Sequence, residues 1–589
     1  MPRTKIICTI GPATNSEEMM RELIAAGANI FRVNCSHGTH EEHEQTFKRI
    51  IALRQELGVP LGILLDTQGP EIRTGTLKDG PVELIGGREF ILTSRQVPGD
   101  EHMVSVSHAG LPRDVVPGLK ILLDDGIIEL RVDRIEDDTD IVCTVLNGGT
   151  LAERKGVNAP LCAVSLPSVA QKDIEDIALG ARMGVEYVAA SFVRSAADVQ
   201  EVRRVLEDAG GEDIRIISKI ENVEAVRNFA EILQVSNGVM IARGDLGVEI
   251  PMEEVPIAQK DMIRQCNGAG RLVITATQML DSMIHNPRPT RAEATDVANA
   301  IFDGTDAIML SGETAMGKYP VQAVKTMAKI AEKAEEHAVP QQWRRRLERD
   351  GSRRRIVVTD AVSYAACNAA MELRAAAIIT PTQTGHTAQM VSKYRPWPMI
   401  AATTSSQKAY HVMSLLWGVA PLLSRQHDNT DDMMADAVNT AVEHGFARQG
   451  DVVVITGGLP TISGGITSMM KVHVVGEVLL SGRGIGSLPA SGRVRVVRGG
   501  KLSYNNLFEK GDILVTDNTD DNMLKMIKKA GAIIVEQDQE GSHAETVGKL
   551  LGIPVILGME DAMHVLPEGL FITVDPQRGF IYNQRPGQN

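Results

Sequence analysis

The run RIISKIEN, residues 215 to 222, reads as a buried strand that ends in two opposite charges. Its first half is apolar and rich in isoleucine, which is typical of a strand. Side chains two apart in a strand point to the same face, so Lys219 and Glu221 are directed at one place. The run therefore predicts a strand whose carboxyl end presents a cation and an anion to a common ligand.

Seven further runs share this form, in which a short apolar segment ends in polar residues. In chain order the eight runs are TKIICTIG, ANIFRVNCS, LGILLDT, EYVAASF, IRIISKIEN, GVMIARGD, RLVITATQ and DAIMLSGE. Amphipathic stretches such as SEEMMRELIAAG and VQEVRRVLEDAG lie between them and are long enough for crossover helices. Eight such units predict an α/β fold, a closed (β/α)8 barrel.

The chain is too long for one compact domain. The connection after LGILLDT is far longer than the others, and its short strand-like segments, rich in Gly, Pro and Val, predict a small β domain that acts as a lid. Beyond the barrel the α/β pattern restarts, and a Gly-rich segment then opens a further module. The expected divisions are 1–70 and 169–338 for the barrel, 71–168 for the lid, 339–475 for an α/β regulatory domain and 477–589 for the extra module.

Composition narrows the classes of protein. A formal net charge of -14 argues against a nucleic-acid partner. Six scattered cysteines show no metal-ligand spacing, which is typical of a reducing cytoplasm. No signal peptide precedes the first strand and no apolar run approaches the ~20 residues that span a bilayer. We expect a cytoplasmic protein without a membrane partner.

Active sites in barrels of this kind lie at the carboxyl ends of the strands. All eight ends carry polar residues, which alone are often turn or cap residues but together favour a single site. They are Thr9, Arg32, Asn34, Ser36, Asp66, Thr67, Ser191, Lys219, Glu221, Arg243, Asp245, Thr277, Ser311 and Glu313.

The types of side chain at these ends indicate phosphoryl chemistry. Glu221 and Asp245, without Cys or His companions, are hard ligands suited to Mg²⁺ or Mn²⁺. An ion pair between Glu221 and Arg243 is the competing interpretation. Arg32 and Lys219 supply the positive charge that a transferring phosphoryl group needs. The G-x-x-x-x-G-K-[ST] phosphate loop of ordinary kinases is not in the sequence.

Six longer motifs closely resemble the signatures of the pyruvate kinase family. They are FRVNCSHG, LLDTQGPEIRTG, ISKIENVEAVRN, ARGDLGVE, ATQMLDSMIHNPRPTRAEATDVANA and DAIMLSGETAMGKYP, and the resemblance runs through residues 1 to 475 in the family's order. It implies transfer of a phosphoryl group from phosphoenolpyruvate to ADP, the closing step of glycolysis, by a homotetramer.

The resemblance also implies roles for individual residues. Lys219 would neutralise the phosphoryl group in flight and stabilise the enolate, with Arg32 contacting the same group. Glu221 and Asp245 would hold Mg²⁺ or Mn²⁺. The remaining positions that match are Gly244, Asp245 and Thr277 for the pyruvate carboxylate, Asn34, Ser36, Asp66 and Thr67 for K⁺, and Asn34, His37, Arg73 and Lys155 for the nucleotide.

One position departs from the family's pattern. Gln68 stands where potassium-dependent members usually carry Lys, whereas Thr67, Glu71 and Thr74 keep the potassium-dependent pattern. Members that do without potassium have a Lys where Glu71 stands. We therefore expect dependence on K⁺.

The α/β domain contains a candidate effector loop. TPTQTGHTAQM places Thr382, Thr384, Gly385 and Thr387 ahead of a helical segment, where hydroxyls and backbone N–H groups form a phosphate cradle or an ordinary capped turn. The family binds sugar phosphates in this loop, so the resemblance implies activation by a phosphorylated sugar or nucleotide. GGLPTISGG, residues 457 to 465, is expected to close over the same pocket.

The extra module resembles a second family. GIGSLPASGRVRVV and SHAETVGKLLGIPVILG resemble the mobile phosphohistidine domain of phosphoenolpyruvate-utilising enzymes. His543 matches the carrier histidine, but Gly541 replaces the usual Thr, and Asp538 and Gln539 replace glycines. We expect a structural or interface role for His543 and no phosphohistidine.

Two other functions remain open from the residues alone. A metal-dependent aldolase or lyase acting on 2-keto acids would also place Mg²⁺ near an enolate, but it needs neither the lid nor Arg73 and Lys155. A non-enzymatic regulator that binds a sugar phosphate is disfavoured because every catalytic position of the family is filled.

Overall fold

The computed structural model describes residues 2–160, 162, 164–349, 357–458, 467–476, 478–499, 501–502 and 508–583. None of the helices in these ranges combines the length and the apolar composition that a membrane crossing requires.

The strands, in chain order, are β1 (Lys5–Ile10), β2 (Ile30–Asn34), β3 (Gly62–Asp66), β4 (Val82–Leu84), β5 (Glu89–Thr93), β6 (Met103–Ser105), β7 (Lys120–Leu123), β8 (Ile128–Glu136), β9 (Asp140–Val145), β10 (Gly149–Leu151), β11 (Val157–Asn158), β12 (Tyr187–Ala190), β13 (Arg215–Ile220), β14 (Gly238–Ala242), β15 (Leu272–Ala276), β16 (Ala307–Leu310), β17 (Ala377–Ile379), β18 (Met399–Thr404), β19 (Val419–Leu423), β20 (Val452–Gly457), β21 (Met469–Val474), β22 (Val478–Ser481), β23 (Arg483–Ile485), β24 (Ala490–Arg498), β25 (Lys501–Leu502), β26 (Ile513–Thr516), β27 (Ala532–Val535), β28 (Val555–Leu557), β29 (Phe571–Asp575) and β30 (Phe580–Asn583).

The α-helices are α1 (Glu17–Ala26), α2 (His40–Leu57), α3 (Leu111–Asp114), α4 (Gln171–Met183), α5 (Ala196–Asp208), α6 (Val223–Arg227), α7 (Phe229–Val235), α8 (Arg243–Glu249), α9 (Val255–Ala269), α10 (Arg291–Asp303), α11 (Gly312–Ala315), α12 (Pro320–Arg349), α13 (Val358–Glu372), α14 (His386–Ser392), α15 (Gln407–Val412), α16 (Thr430–Glu443), α17 (Leu524–Ile527), α18 (His543–Leu551) and α19 (Ala562–Val565), with 3-10 turns at Asp281–Ile284, Met413–Leu415 and Asp521–Met523.

The eight runs expected from the sequence form a closed parallel barrel in the order β1-β16-β15-β14-β13-β12-β3-β2. Alternate side chains of each strand point to opposite faces, so one set packs against the surrounding helices and the other set packs in the barrel interior. In β1, Ile6 and Cys8 pack outward against the helices, whereas Ile7 points into the barrel interior. The predicted (β/α)8 architecture is confirmed.

Local signals in the sequence set where the barrel helices begin. Thr39 and Glu42 form a capping box at the start of α2, and Thr290 with Glu293 does the same for α10. The reciprocal hydrogen bonds satisfy backbone N–H groups that a helix start leaves without partners. These caps fix the first residues of α2 and α10, and the polar strand ends that precede the two helices lie outside them.

The segment inserted between β3 and β12 forms its own sheets. One has the order β11-β7-β8-β9-β5-β6, and a second pairs β10 with β4. Their apolar faces enclose a separate core around residues such as Phe90, Leu130 and Ile141. We call this inserted segment the lid.

Side chains from both units anchor the lid to the barrel. The Asn158 amide of β11 donates to Glu249 Oε1 of α8 at 3.0 Å. The Arg194 guanidinium donates to the carbonyls of Val164 and Leu166, each at 2.9 Å. These contacts hold the lid over the barrel mouth.

The next sheet has the order β19-β18-β17-β20-β21, parallel except for β21, and packs on the opposite end of the barrel. The barrel interior and this unit share one apolar cluster, which includes Ile217 and Met413. The Tyr187 hydroxyl donates to the Val412 carbonyl, and the buried Lys5 ammonium donates to the Val419 carbonyl at 2.7 Å. The base of the barrel is thus closed by a neighbouring unit.

The final sheet has the order β22-β30-β29-β24-β26-β27-β28-β23, with β25 paired to β24. It meets the preceding α/β unit through the Tyr582 hydroxyl, which donates to the Gly450 carbonyl at 3.1 Å. Arg578 lies 3.8 Å from Asp451 at the same contact. We call this unit the C-terminal module, and these contacts join it to the α/β unit.

Candidate active site

Lys219 lies at the centre of the barrel mouth, where its ammonium contacts side chains from three strand ends. Nζ is 2.8 Å from Glu221 Oε1, 3.2 Å from Asp66 Oδ1 and 2.8 Å from Ser191 Oγ. Burial alone would lower the pKa of Lys219, but the Asp66 and Glu221 carboxylates outweigh it and raise that pKa. The ammonium is therefore held charged, and it does meet Glu221 as the alternation of the strand predicts.

Arg32 adds a second cation on the other side of Asp66. Its Nε donates to Asp66 Oδ2 at 2.6 Å and its NH1 to Thr9 Oγ1 at 2.9 Å. Burial would raise the pKa of Asp66, but Arg32 and Lys219 outweigh it and lower that pKa. A fully buried carboxylate thus fixes two cations side by side.

Glu221 and Asp245 are the carboxylates best suited to a divalent metal. Burial raises the pKa of both, and the charge of Asp245 raises that of Glu221 further. Glu221 Oε2 accepts a hydrogen bond from the Phe192 N–H at 2.6 Å. Asp245 forms no ion pair within the described ranges and lines a cavity of about 440 Å³ between lid and barrel. Asp245 at the edge of this cavity, close enough to Glu221 to raise its pKa, forms with Glu221 a pair of oxygen ligands that fits Mg²⁺ or Mn²⁺.

Two charged residues expected at the mouth serve the scaffold instead. Arg243 donates to Asp296 at 2.7 Å and to the Thr277 carbonyl at 2.8 Å, so the proposed ion pair between Glu221 and Arg243 is wrong. Glu313 accepts from the N–H groups of Leu280 and Ser311. Arg243 is the first residue of α8 and Glu313 lies in α11, so helical backbone rather than strand alternation sets the direction of both side chains.

Thr277 is held in a strained backbone conformation beside the start of α8. Its φ is 66°, a value that non-glycine residues rarely adopt. Its Oγ1 accepts from the Gly244 N–H at 2.7 Å and donates to the Ala276 carbonyl at 2.6 Å. The structure therefore brings Thr277, Gly244 and Asp245 together, and such strain is often found at functional sites.

The proposed potassium ligands come from two paired strands. Asn34 lies opposite Asp66 in the register of β2 and β3, and Asn34 Oδ1 accepts from the Ser36 N–H at 3.3 Å. Thr67 Oγ1 accepts from the Ser191 N–H at 3.1 Å. The four residues offer only oxygen ligands, which suits a monovalent cation, although the Asp66 carboxylate already pairs with Arg32 and Lys219.

The expected nucleotide contacts lie where the lid joins the barrel. Arg73 NH2 is 2.8 Å from Glu71 Oε2, and Lys155 Nζ is 2.9 Å from Asp124 Oδ1. Both cations are partly exposed and are paired with carboxylates. The exposed His37 lies in the loop before α2, and no hydrogen bond or ion pair of the described residues joins it to Arg73 or Lys155.

The candidate effector loop forms a tight turn before α14. Gly385 has φ 82°, and its N–H donates to Thr382 Oγ1 at 3.0 Å. Thr384 is exposed, but the buried Thr387 hydroxyl is bonded to Thr467 at 3.0 Å. Residues 459 to 466, most of the segment expected to close over this loop, lie outside the described residues.

Sequence reasoning missed three residues that shape the mouth. Phe192, with φ 53°, supplies the N–H that Glu221 accepts. Asp296 accepts from Arg243, which also donates to the Thr277 carbonyl, and Arg194 anchors the lid. Arg194 is a cation that follows the end of β12. Among Phe192, Asp296 and Arg194, this is the one feature of the sequence that could have suggested a role at the mouth.

Family profiles match three parts of the chain. The barrel domain of pyruvate kinase matches residues 1–324, and the alpha/beta domain of pyruvate kinase matches residues 360–473. The mobile domain of PEP-utilising enzymes matches residues 508–579.

Whole proteins of known name are also similar to the chain. A pyruvate kinase of Bacillus licheniformis is 48% identical over 586 residues, which cover 99% of each chain. A pyruvate kinase of Geobacillus stearothermophilus is 48% identical over 584 residues, 98% of each. Among solved structures, a pyruvate kinase of Cryptosporidium parvum superposes with a TM-score of 0.76 at 39% identity and covers 80% of this chain and 96% of its own.

Proposed function

The chain belongs to the pyruvate kinase family and is a phosphotransferase, and we propose that it transfers the phosphoryl group of phosphoenolpyruvate to ADP. The observation that carries this proposal is the buried Lys219 ammonium, which lies between Asp66 and Glu221 and whose pKa is also raised by the charge of Asp245. A fixed positive charge next to two candidate metal ligands is the arrangement that phosphoryl transfer requires.

In this reaction the bond between phosphorus and the enol oxygen breaks and a bond from phosphorus to a β-phosphate oxygen of ADP forms. The enolate left behind takes a proton at its methylene carbon and becomes pyruvate. Lys219 and Arg32 stabilise the charge on the phosphoryl oxygens, and Lys219 also stabilises the enolate oxygen. Mg²⁺ or Mn²⁺ on Glu221 and Asp245 would supply further positive charge at the phosphoryl oxygens.

Other residues orient the two substrates. Thr277 and the N–H groups of Gly244 and Asp245 hold the carboxylate of phosphoenolpyruvate. The contact between Thr277 Oγ1 and the Gly244 N–H supports this role, because it keeps the two groups side by side, and the Gly244 N–H would exchange Thr277 Oγ1 for the carboxylate when the substrate binds.

Asn34, His37, Arg73 and Lys155 contact the nucleotide. Arg73 and Lys155 are paired with Glu71 and Asp124 when no nucleotide is bound, so ADP phosphates replace carboxylates that already occupy these positions. The exchange lets the lid cations stay partly neutralised in both states.

We also propose that K⁺ activates the enzyme through Asn34, Ser36, Asp66 and Thr67. The oxygen-only cluster supports this site, and Glu71 is held by Arg73, where a potassium-independent member would place a Lys. Replacing K⁺ by Na⁺ in the assay tests the point, because full activity in Na⁺ contradicts it.

We propose that the enzyme is regulated by a ligand that binds at the effector loop. A sugar phosphate or nucleotide bound near Thr382, Thr384, Gly385 and Thr387 would lie next to Arg215, whose guanidinium donates to the Thr384 carbonyl at 2.9 Å. Arg215 is the first residue of β13, the strand that carries Lys219. We propose that the effector activates a homotetramer in the cytoplasm through this contact.

The C-terminal module has a structural or interface role. His543 Nδ1 lies 3.0 Å from Thr519 Oγ1 and Nε2 lies 3.3 Å from Asp521 Oδ1. Both ring nitrogens are thus engaged, which supports a structural histidine rather than a phosphoryl carrier.

Release of pyruvate from phosphoenolpyruvate, measured with and without ADP, tests the proposed function. We expect release that requires ADP and Mg²⁺ and yields an equal amount of ATP. A 2-keto-acid lyase would release pyruvate from other substrates without ADP, and a binding regulator would release none.

A further inference from the structure

A second set of potential metal ligands lies beneath the barrel mouth, between the starts of α2 and α4. We call it the Cys35 cluster, formed by Cys35, His43 and Asp176. The Cys35 thiol, a ring nitrogen of His43 and a carboxylate oxygen of Asp176 lie within 4.8 Å of one another. Cys35 and Asp176 are fully buried and His43 is 6% exposed. The cluster contains none of the carboxylates proposed for Mg²⁺.

The imidazole of His43 is oriented as a ligand. Its Nε2 lies 2.7 Å from the His37 carbonyl oxygen. A carbonyl only accepts hydrogen bonds, so Nε2 carries the proton and Nδ1 has a free lone pair. Nδ1 is buried and has no hydrogen-bond partner in the part of the chain that the structure describes. Histidines that bind metals commonly donate their other ring nitrogen to a backbone carbonyl in this way.

The lone pair on His43 Nδ1 is buried without a hydrogen bond from any described residue, and a bound cation would satisfy it. A buried polar atom without a partner destabilises the folded state. The groups nearest the cluster do not relieve it, because they are directed to Asp176. His40 Nε2 lies 2.6 Å from Asp176 Oδ1, and Lys172 Nζ lies 2.7 Å from Asp176 Oδ2.

His40 offers a fourth ligand and an access route. It precedes His43 by three residues on α2, so both side chains lie on one face of that helix. Its side chain is 38% exposed, whereas the three members of the cluster are buried. A cation can therefore reach Asp176 from solvent past His40 and Lys172.

We propose that the Cys35 cluster binds one divalent cation of the zinc class through the Cys35 sulfur, His43 Nδ1 and an Asp176 oxygen, with His40 or water in the fourth position. Sulfur and imidazole ligands favour zinc over magnesium. Binding replaces the thiol proton, which leaves to solvent. Ligands of a tetrahedral zinc ion are roughly 3.5 Å apart, so the three ligand atoms, now within 4.8 Å of one another, would move closer together on binding.

The position of Cys35 connects this site to the mouth. Cys35 lies between Asn34 and Ser36, and its N–H donates to the Asp66 carbonyl at 2.9 Å. A metal on its sulfur would restrain the segment that carries two of the proposed potassium ligands. The binding site itself does not depend on the catalytic proposal.

Titration of the full-length protein with Co²⁺ tests the site directly, because a cobalt-bound thiolate gives a charge-transfer band in the near ultraviolet. Excess Mg²⁺ is kept present so that hard-ligand sites are filled. We expect the absorbance of this band to saturate at one Co²⁺ per chain and to disappear when Zn²⁺ is added. Zn²⁺ should also raise the melting temperature of the protein. Absence of the band in the wild-type protein overturns the proposal.

Variants identify the ligands. Cys35→Ser should abolish the band, and His43→Gln should weaken Co²⁺ binding at least about tenfold. Cys266→Ser is the matched control, since Cys266 is also a fully buried cysteine of the barrel but lies on α9. A band that persists in Cys35→Ser, or that disappears in Cys266→Ser, contradicts the assignment. The wild-type titration decides the question even if a variant fails to fold.

Discussion

The two ends of the barrel are built in opposite ways. At the mouth, Lys219 and Arg32 share the buried Asp66, and Glu221 and Asp245 add further charge. At the base, the interior continues as an apolar cluster into the α/β unit, with Tyr187 bonded to the Val412 carbonyl. One end concentrates charge beneath a cavity, and the other end is closed by packing.

This difference suggests that the mouth serves catalysis and that the base serves stability and regulation. Buried charges that remain paired are expensive to assemble and contribute little net stability, so a concentration of them at the mouth is best explained by a function. The base is packed so closely that a Cβ on Gly62 would lie 2.9 Å from Ser414 Oγ of the neighbouring unit. Movement there has to be shared by both units. Changes at the mouth should therefore alter turnover, and changes at the base should alter stability or regulation.

The largest effect is expected at the mouth, from Lys219→Met. The variant keeps the length of the side chain but removes the charge that stabilises the transition state. We expect kcat to fall by a factor on the order of 10³ or more, while the KM for phosphoenolpyruvate changes little. Steady-state kinetics of pyruvate release measure both constants.

Lys260→Met is the control for this change, because Lys260 is an exposed lysine that pairs with Asp303 on the outside of the barrel. It should leave kcat unchanged. Circular dichroism shows whether Lys219→Met folds with Asp66 and Glu221 left without their cation. A loss of kcat below about tenfold in a folded variant would mean that Lys219 is not the phosphoryl stabiliser.

The next effect is expected at the base, where His411 is buried next to Gly62. Burial, with a smaller contribution from Arg54, lowers the pKa of His411 to about 3. Because the unfolded chain binds this proton more readily, stability is complete above the ordinary histidine pKa and declines as the pH falls below it. Between pH 7 and pH 5 the loss is on the order of 2 kcal/mol.

Urea unfolding at pH 7 and pH 5 measures this loss. His411→Gln should lose less stability over that interval than the wild-type protein. His444→Gln serves as the control, because His444 Nδ1 bonds the Thr440 carbonyl of its own helix, away from the barrel base. If His411→Gln is as acid-sensitive as the wild type, the base does not depend on a neutral histidine.

The barrel could be predicted from the sequence because its strands repeat one local pattern. All eight runs became strands, and strand alternation correctly brought Lys219 and Glu221 together. Arg243 and Glu313 were also expected at the mouth, but each lies in a short helix that follows a strand, where strand alternation does not apply, and each holds backbone groups instead.

Contacts between distant parts of the chain left no local signal. The Tyr187 hydroxyl reaches a carbonyl 225 residues away, and nothing near Tyr187 predicts that partner. The free lone pair of His43 depends on the exact position of the His37 carbonyl, which no residue pattern encodes. Such features are set by packing of whole elements rather than by sequence spacing.

A smaller effect is expected from Arg215→Met, which breaks the contact between β13 and the effector loop. Arg215 donates to the Thr384 carbonyl at 2.9 Å and to Gln389 Oε1 at 3.2 Å. The shift in half-saturating phosphoenolpyruvate caused by a sugar phosphate or AMP should shrink about fivefold, with kcat at saturating substrate preserved.

Arg203→Met is the matched control, because Arg203 donates to the Ile214 carbonyl and to Asn237 without contacting the α/β unit. Substrate saturation curves with and without each effector decide the comparison. Undiminished activation in Arg215→Met shows that coupling passes through another contact, and hyperbolic curves that no effector shifts remove the proposed regulation altogether.

The smallest effect is expected from His543→Ala in the C-terminal module, which lies beyond both ends of the barrel. His543 is bonded to Thr519 and Asp521, and the acid side chain of Asp521 is 91% exposed. His543 contacts the exposed carboxylate of Asp521, whereas the mouth holds Lys219 and Arg32, two largely buried cations that can stabilise a phosphoryl group. The variant should change kcat by less than about twofold, as should the control His564→Ala.

Truncation after residue 476 should likewise leave catalysis measurable, because the proposed catalytic residues all precede it. Incubation with ³²P-labelled phosphoenolpyruvate should give no acid-labile, base-stable label. Stoichiometric label in the wild-type protein that is lost in His543→Ala would show instead that the module carries phosphoryl groups, and the contrast between a chemical mouth and a structural periphery would then fail.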